Sequence, residues 1–343
     1  MIKTVAIVSL SSGTLGEPYV AFEVEIGLRR LEDLGLEVRF MPGARKGATY
    51  LSEHPEARAQ DLLDAFADPT IDLILSAIGG DDTYRLLPYL FEHDELARVA
   101  RDVVFLGFSD TTINHLMLNR LGLRSFYGQA FLPDVCELES DMLPYTRTYF
   151  EELIATGTIF EVRPSDVWYE SRKDFGEDQV GAPLTSHPNQ GFELLQGPPT
   201  FSGKILGGCI DTFYDLFSPD RYRDMPELCA RYRLFPDAGE WKGRILLLES
   251  SEEFMEPARY RKALGYLKDA GVFDAVSGVL VGKPMDEVYA AEYKDALVSV
   301  IDDPALAIVC NVNVGHALPR AIIPFGVEAY VDATEQVIRF PSA

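Results

Sequence analysis

A serine becomes a nucleophile only when a turn exposes it and a base takes its proton. Ser109, in Gly107-Phe108-Ser109-Asp110, has the setting for the first requirement. The apolar run 103–106 before it has the length and β-branched content of a buried strand, and Ile113, Leu116, Met117 and Leu121 follow at helical spacing. A serine between a buried strand and a helix N-terminus is the setting of a nucleophile elbow. There the turn lifts Oγ above the sheet and the next amide, that of Asp110, points toward a developing oxyanion. The second glycine of the usual G-x-S-x-G is replaced by Thr111. The competing reading is that Ser109 or Asp110 caps the helix together with Thr111 and Thr112.

The base must come from five histidines, His54, His93, His115, His187 and His316. His115 lies six residues past Ser109 in the same predicted helix, on another face, and points poorly. His54 and His93 sit in polar helix-end contexts expected at the surface, while His187 stays open in a Pro-rich loop. His316 follows an apolar strand and Gly315, so a rigid element delivers it. Glu249 ends the strand-like run Gly-Arg-Ile-Leu-Leu-Leu-Glu in the same manner. As a third member it would accept Nδ1–H of His316 and stabilise the imidazolium formed when His takes the serine proton. Alone, Glu249 reads as a surface strand-end carboxylate and His316 as a loop-fixing hydrogen bonder.

The elements that must position these groups alternate. Strands are expected at 4–10, 36–41, 71–78 and 103–106, with helices at 18–34, 55–66 and 83–91 between them. Such alternation implies an α/β fold with a parallel sheet and helices on both faces, whose ligand crevice lies beyond the carboxyl ends of the strands. Gly79-Gly80-Asp81-Asp82 and Ser109 both occupy such ends. From 163 to about 200 the periodicity dissolves into a polar run punctuated by Pro164, Pro183, Pro188, Pro198 and Pro199, which carries Trp168, Tyr169 and Phe175. This reads as a connection or an active-site loop whose aromatics either pin it to the body or meet a ligand. Strands at 243–249, 276–281 and 305–312, with a helix at 257–270, then give an α+β second domain. The expected division is 1–164, a linker and loop at 165–200, and 201–343.

Composition narrows the function classes. The chain has 343 residues, 47% hydrophobic and 25% charged, and reads as two globular domains. A formal charge of -23 disfavours nucleic acid and anionic membrane surfaces, which need clustered Lys and Arg. Cys136, Cys209, Cys229 and Cys310 are scattered, which suggests neither a zinc site nor a disulfide framework and fits a reducing, cytoplasmic setting. The N-terminal apolar run is short for a signal peptide and reads as a first strand. No G-x-G-x-x-G and no Walker lysine motif appears, so no nucleotide cofactor and no metal is expected.

Taken together, Gly-Phe-Ser-Asp-Thr-Thr at 107–112, Ile78-Gly79-Gly80, Leu-Leu-Leu-Glu-Ser-Ser-Glu-Glu at 246–253 and Val-Gly-His-Ala-Leu-Pro-Arg at 314–320 resemble the LD-carboxypeptidase family of serine peptidases. The Gly-Gly-Asp-Asp turn and the 246–253 run look most like its microcin immunity branch. The resemblance runs from the first strand to the last. It implies Ser109 as nucleophile, His316 as general base and acid, Glu249 as its orienter, and the amides of Gly80 and Asp110 as oxyanion hole. It also implies an N-terminal flavodoxin-like domain, a C-terminal swivelling domain, a site in the cleft between them, and a homodimer. Gly79, Asp81, Trp168 and Lys283 are the further candidates for substrate contact. Murein-recycling members typically carry an aromatic and another glycine after the glycine pair, where this chain has Asp81-Asp82. The substrate expected is therefore a small peptide or an aminoacyl or peptidyl nucleotide, with the murein tetrapeptide as the alternative. A non-catalytic small-molecule binder and an ordinary α/β-hydrolase esterase are the other readings.

Overall fold

The computed structural model describes residues 1–341. The chain forms two compact units, one of Met1–Thr158 with Arg172–Pro183, the other of Ile159–Ser171 with the chain from Leu184 onward.

The first unit is built on β1 (Thr4–Val8), β2 (Glu37–Phe40), β3 (Leu73–Ser76), β4 (Val104–Gly107) and β5 (Ser125–Tyr127). They lie in the order β5-β4-β3-β1-β2, and every neighbouring pair is parallel. This is flavodoxin-like, with strand order reversing between β1 and β3, the place where such sheets bind ligands. Strands β1, β3 and β4 are buried at every position. That is why they read as continuous apolar runs: right-handed crossovers place helices over both faces of a parallel sheet. The longer helices are Ala21–Asp33, Pro55–Ala67, Thr112–Arg120 and Pro144–Thr156. Two expected helices each divide into a 3-10 turn and an α-helix, Pro18–Val20 before Ala21–Asp33 and Thr83–Leu86 before Leu87–Phe91. Pro18 and Pro88 lie in first turns, where a missing N–H breaks no intrahelical bond.

The second unit carries β6 (Glu161–Val162), β7 (Val167–Tyr169), β8 (Ser186–Pro188), β9 (Glu193–Gln196), β10 (Thr200–Cys209), β11 (Ile245–Glu249), β12 (Gly278–Gly282), β13 (Ala307–Val312), β14 (Ile323–Phe325), β15 (Glu328–Asp332) and β16 (Val337–Arg339). Eight of them form one mixed sheet, β6-β16-β15-β10-β11-β12-β13-β9. Strands β10 to β13 are parallel to their neighbours within that set, and the flanking strands are antiparallel. Strands β11 and β12 are wholly buried, and the helices Pro257–Asp269 and Ala290–Ile301 pack on each other beside them. The outer half of β10 alternates exposed and buried positions, and its inner half, from Ile205 on, is buried throughout.

The proline-rich stretch is more ordered than its composition suggests. β7 and β8 pair as an antiparallel ribbon, and β9 is the antiparallel edge of the large sheet, where a strand tolerates nearby prolines. Residues 172–183 instead pack on the first unit: Arg172 Nη2 donates to Glu137 Oε1 at 2.8 Å with both side chains buried, and the Gly181 amide donates to the Leu138 carbonyl at 2.6 Å. All four cysteines are free and buried. Among the described residues no helix is long and apolar enough to cross a membrane.

Candidate active site

The turn after β4 is an elbow in its backbone as well as in its sequence. Ser109 has φ 66, a left-handed conformation that a serine adopts at a cost of roughly 1–3 kcal/mol. The helix Thr112–Arg120 has no side-chain cap, so the capping alternative for Ser109 and Asp110 does not account for the turn. Asp110 is instead buried, and its Oδ2 accepts from Ser11 Oγ at 2.7 Å and from the Thr83 amide at 2.9 Å. It ties the loop after β1 and the turn after β3 to the elbow. Burial pushes the Asp110 carboxyl up, and those hydrogen bonds oppose the shift. The Ser109 amide donates to Tyr127 Oη on β5 at 3.1 Å.

His115 lies beneath this turn as a structural group. Its Nε2–H donates to the Gly107 carbonyl at 3.0 Å and its Nδ1 accepts from Ser125 Oγ at 2.7 Å. Burial lowers its pKa to about 4, outweighing the Gly107 hydrogen bond, so the ring is neutral and occupied. His54 and His187 are partly exposed beside Glu56 and Glu170, and His93 is exposed.

The glycine pair approaches the elbow closely. A Cβ on Gly79 would lie 2.6 Å from both Cβ and Oγ of Ser109. Gly80 follows over Ser11 and Ser12, and the Ser12 amide donates to the Gly79 carbonyl at 3.0 Å. Asp81 is half-buried, and its amide donates to Ser11 Oγ at 2.9 Å. Asp82 points inward to Arg58, which is fully buried; Nη1 and Nη2 reach its two carboxylate oxygens at 2.5 and 3.1 Å. Arg58 also donates to the Leu10 and Ser11 carbonyls. The second aspartate of the turn therefore locks two strand-end loops. Sequence reading missed Ser11, Arg58 and Tyr127, whose partners lie 18 to 99 residues away.

In the second unit, β11 and the loop after β13 bring Glu249 and His316 together. Glu249 Oε2 accepts from His316 Nδ1 at 2.7 Å and from the His316 amide at 3.2 Å. Both side chains are buried. Gly315, at φ 91, makes the approach possible, since a Cβ there would lie 2.5 Å from Glu249 Cβ. Arg320 fastens the loop from below through the Gly315 and His316 carbonyls, at 2.5 and 2.8 Å. His316 Nε2 lies 3.0 Å from Glu252 Oε2, a contact not anticipated from sequence although Glu252 stands three residues past Glu249. Burial by itself would depress the imidazole, but the charges and hydrogen bonds of Glu249 and Glu252 prevail and raise it to about 10. The Cys209 thiol is near enough to complete a Cys-Glu-His group within 4.8 Å. Burial, then the Glu249 charge, holds that thiol well above its ordinary pKa, which keeps it protonated and a poor metal ligand.

Trp168 and Lys283 also meet, in a cavity of about 690 Å³ lined further by His187, Glu287, Tyr293 and Asn311. Trp168 is half-exposed and stacks on His187 with centroids 4.5 Å apart. Lys283 Nζ sits 5.0 Å from the Trp168 ring centre and is bound to Glu287 and Asn311 at 2.5 and 3.2 Å. The volume suits a small organic ligand.

Comparison with known proteins agrees along the chain. Residues 5–128 match the LD-carboxypeptidase N-terminal domain and residues 202–331 the LD-carboxypeptidase C-terminal domain. The Microcin C7 self-immunity protein MccF of Escherichia coli is 25% identical over 302 residues, spanning 86% of this chain and 81% of that protein. The crystal structure of an MccF-like protein from Streptococcus pneumoniae in complex with AMP superposes with a TM-score of 0.98 at 58% identity, covering 99% of both chains. An MccF-like protein from Bacillus anthracis shares the fold with a TM-score of 0.78 at 24% identity, covering 98% of this chain and 96% of that one. On its two matched domains and its fold, the chain belongs to the LD-carboxypeptidase family, among its MccF-like members.

Proposed function

We propose that the protein is a serine peptidase or amidase that cleaves an amide or phosphoramidate-type bond in an aminoacyl or peptidyl nucleotide. Ser109 is the nucleophile, His316 the general base and then acid, and Glu249 the carboxylate that fixes the His316 tautomer. The observation that carries this reading is the buried 2.7 Å contact between Glu249 Oε2 and His316 Nδ1, which leaves Nε2 as the proton-accepting nitrogen. The left-handed Ser109 turn supports it from the other unit, since strained backbone of this kind marks functional turns.

In the first step Ser109 Oγ attacks the carbonyl while Nε2 takes its proton, and the resulting oxyanion is held by the amides of Gly80 and Asp110. The proton then passes from Nε2 to the leaving nitrogen. Water, deprotonated by the same nitrogen, releases the acyl group from Ser109. Trp168 and Lys283 supply a stacking face and a cation for the nucleotide part, with Gly79 and Asp81 at the acyl end. Support for a nucleotide comes from the AMP bound by the Streptococcus pneumoniae relative and from the cavity beside Trp168. Four buried free thiols fit a cytoplasmic location, and family resemblance points to a homodimer.

The test is covalent. A serine-directed phosphonate should label the wild-type protein once, at Ser109, and Ser109→Ala should lose both labelling and hydrolysis of an aminoacyl adenylate analogue. Equal labelling of both proteins, or substantial turnover by the variant, rejects the assignment.

A further inference from the structure

The contact between Glu252 and His316 conflicts with the first step of the reaction just described. A neutral imidazole donates from one nitrogen only, and a carboxylate only accepts. In this structure both ring nitrogens lie within hydrogen-bond distance of carboxylates, Nδ1 of Glu249 at 2.7 Å and Nε2 of Glu252 at 3.0 Å. Both contacts are made only by the doubly protonated ring. A base that already carries its proton, with a carboxylate over the nitrogen concerned, accepts none from a serine.

Glu249 and Glu252 differ in their freedom to change this. The Glu249 side chain has 0% exposure and is wedged under Gly315, whereas the Glu252 side chain is 62% exposed, on the turn that follows β11. We infer that Glu252 is a gating residue for this site: it caps His316 Nε2 at rest, and an acyl donor bearing an ammonium group draws its carboxylate away and frees the base. The inference rests on the reading of Ser109, His316 and Glu249 as a triad. When Glu252 turns to the ammonium, His316 loses one of two negative neighbours and releases its Nε2 proton to solvent. It then presents a lone pair while Glu249 still holds Nδ1–H. A substrate without that cation leaves the cap closed, and one with an anionic group in its place is repelled by Glu252.

The other charged groups about the ring do not substitute for Glu252. Glu249 belongs to the fixed side. Asp211, at the start of the helix Ile210–Phe217, is buried; burial raises its carboxyl, and its Oδ2 is engaged by the Ser251 amide at 3.0 Å. Cys209 is held protonated, and Arg320 is committed to the carbonyls of Gly315 and His316. Among these groups Glu252 is the charged one whose side chain is exposed to solvent. Its carboxyl is held at about 2, chiefly by the His316 hydrogen bond, so at neutral pH it is an anion ready for another cation.

Two measurements decide this. The first follows the His316 ring by NMR titration in Ser109→Ala, where no turnover intervenes, and again after adding Glu252→Gln. The midpoint is expected to fall by roughly one to three pH units when the cap's charge is removed. An unchanged midpoint overturns the capping. The second measures binding of alanyl sulfamoyl adenosine and its N-acetyl counterpart to Ser109→Ala by calorimetry. The free amine should bind about tenfold more tightly, and Glu252→Gln should abolish that preference while Glu252→Asp retains part of it. A preference that survives Glu252→Gln, or affinities that ignore acetylation, overturns the recruitment by a cation; absence of binding by either probe overturns it too. Failure of the triad itself would show separately, as loss of phosphonate labelling specificity at Ser109, with the titration still reading the Glu252 contact.

Discussion

Gly79→Ala isolates the positioning of the nucleophile from its chemistry. Gly79 is not among the glycines with positive φ, so its backbone accepts alanine and the change acts through space alone. The added Cβ would stand 2.6 Å from Ser109 Cβ and Oγ, whereas ordinary contact begins at 3.4 Å. Ser109 must therefore retreat by nearly 1 Å, or the turn after β3 must do so. A misplacement of about 1 Å costs on the order of 10² in rate, about 2.7 kcal/mol of transition-state stabilisation. Overpacking costs roughly 1–3 kcal/mol of fold stability, so the variant should remain folded at 25 °C. The assay is kcat/KM on an aminoacyl adenylate analogue together with the rate of phosphonate labelling, with urea unfolding to confirm the fold. Gly265→Ala is the control: it lies within the helix Pro257–Asp269, nothing stands within 4 Å of its new Cβ, and it should gain about 0.5–1 kcal/mol with activity unchanged. If folded Gly79→Ala retained kcat/KM within about threefold of wild type, the glycine would not set the position of a nucleophile, and Ser109 as that nucleophile would be in doubt.

Glu249→Gln should lower kcat by on the order of 10⁴, and a loss under tenfold would remove Glu249 from the triad. The same variant tests linkage. His316 is raised from 6.5 to about 10 in the folded protein, so its stabilising contribution is complete below about 6.5 and lost as pH rises through about 10. Wild type should thus lose more stability than Glu249→Gln across that interval, and parallel curves would refute the assignment. Asp82→Ala should cost roughly 3–5 kcal/mol in urea unfolding, because it strands the fully buried Arg58 charge; a loss below about 1 kcal/mol would mean the pair does not lock the turn. Trp168→Ala should raise KM for a nucleotide-bearing substrate by about 1–3 kcal/mol equivalent with kcat little changed, whereas a lower Tm at constant KM would assign the ring to packing against His187.

The strands were legible because burial on both faces leaves a chemical trace: Val5–Val8, Leu73–Leu75 and Val104–Leu106 are apolar without interruption, and each is followed by turn residues. The elbow was legible for a similar reason, since strand, turn and helix signals fall within one short window of sequence. Element ends were less so. Thr83 begins a 3-10 turn rather than an α-helix, because a proline five residues on starts the α-helix proper. The 172–183 segment is held to the first unit by contacts such as the buried Arg172–Glu137 ion pair and the Gly181–Leu138 backbone bond, which no periodicity announces.

The site divides along the same line. Residue types and element ends make Ser109, Glu249 and His316 candidates, since strand ends are where rigid scaffolds hold reactive groups, but each also has a bland reading, and their grouping as a triad comes from the family resemblance. What they touch is a matter of tertiary structure. Glu249 and His316 are 67 residues apart in the chain and 2.7 Å apart in space, through the parallel pairing of β11, β12 and β13 and a glycine at 315 that admits the carboxylate. Asp82 reads only as part of the departure from murein-recycling relatives, and folding turns it inward onto Arg58. Glu252 stands within the 246–253 run without a role of its own in the sequence, and the turn after β11 sets it on His316 Nε2. Periodicity records which side of an element is dry, whereas contacts between side chains far apart in sequence depend on how the elements are stacked, which no local pattern encodes.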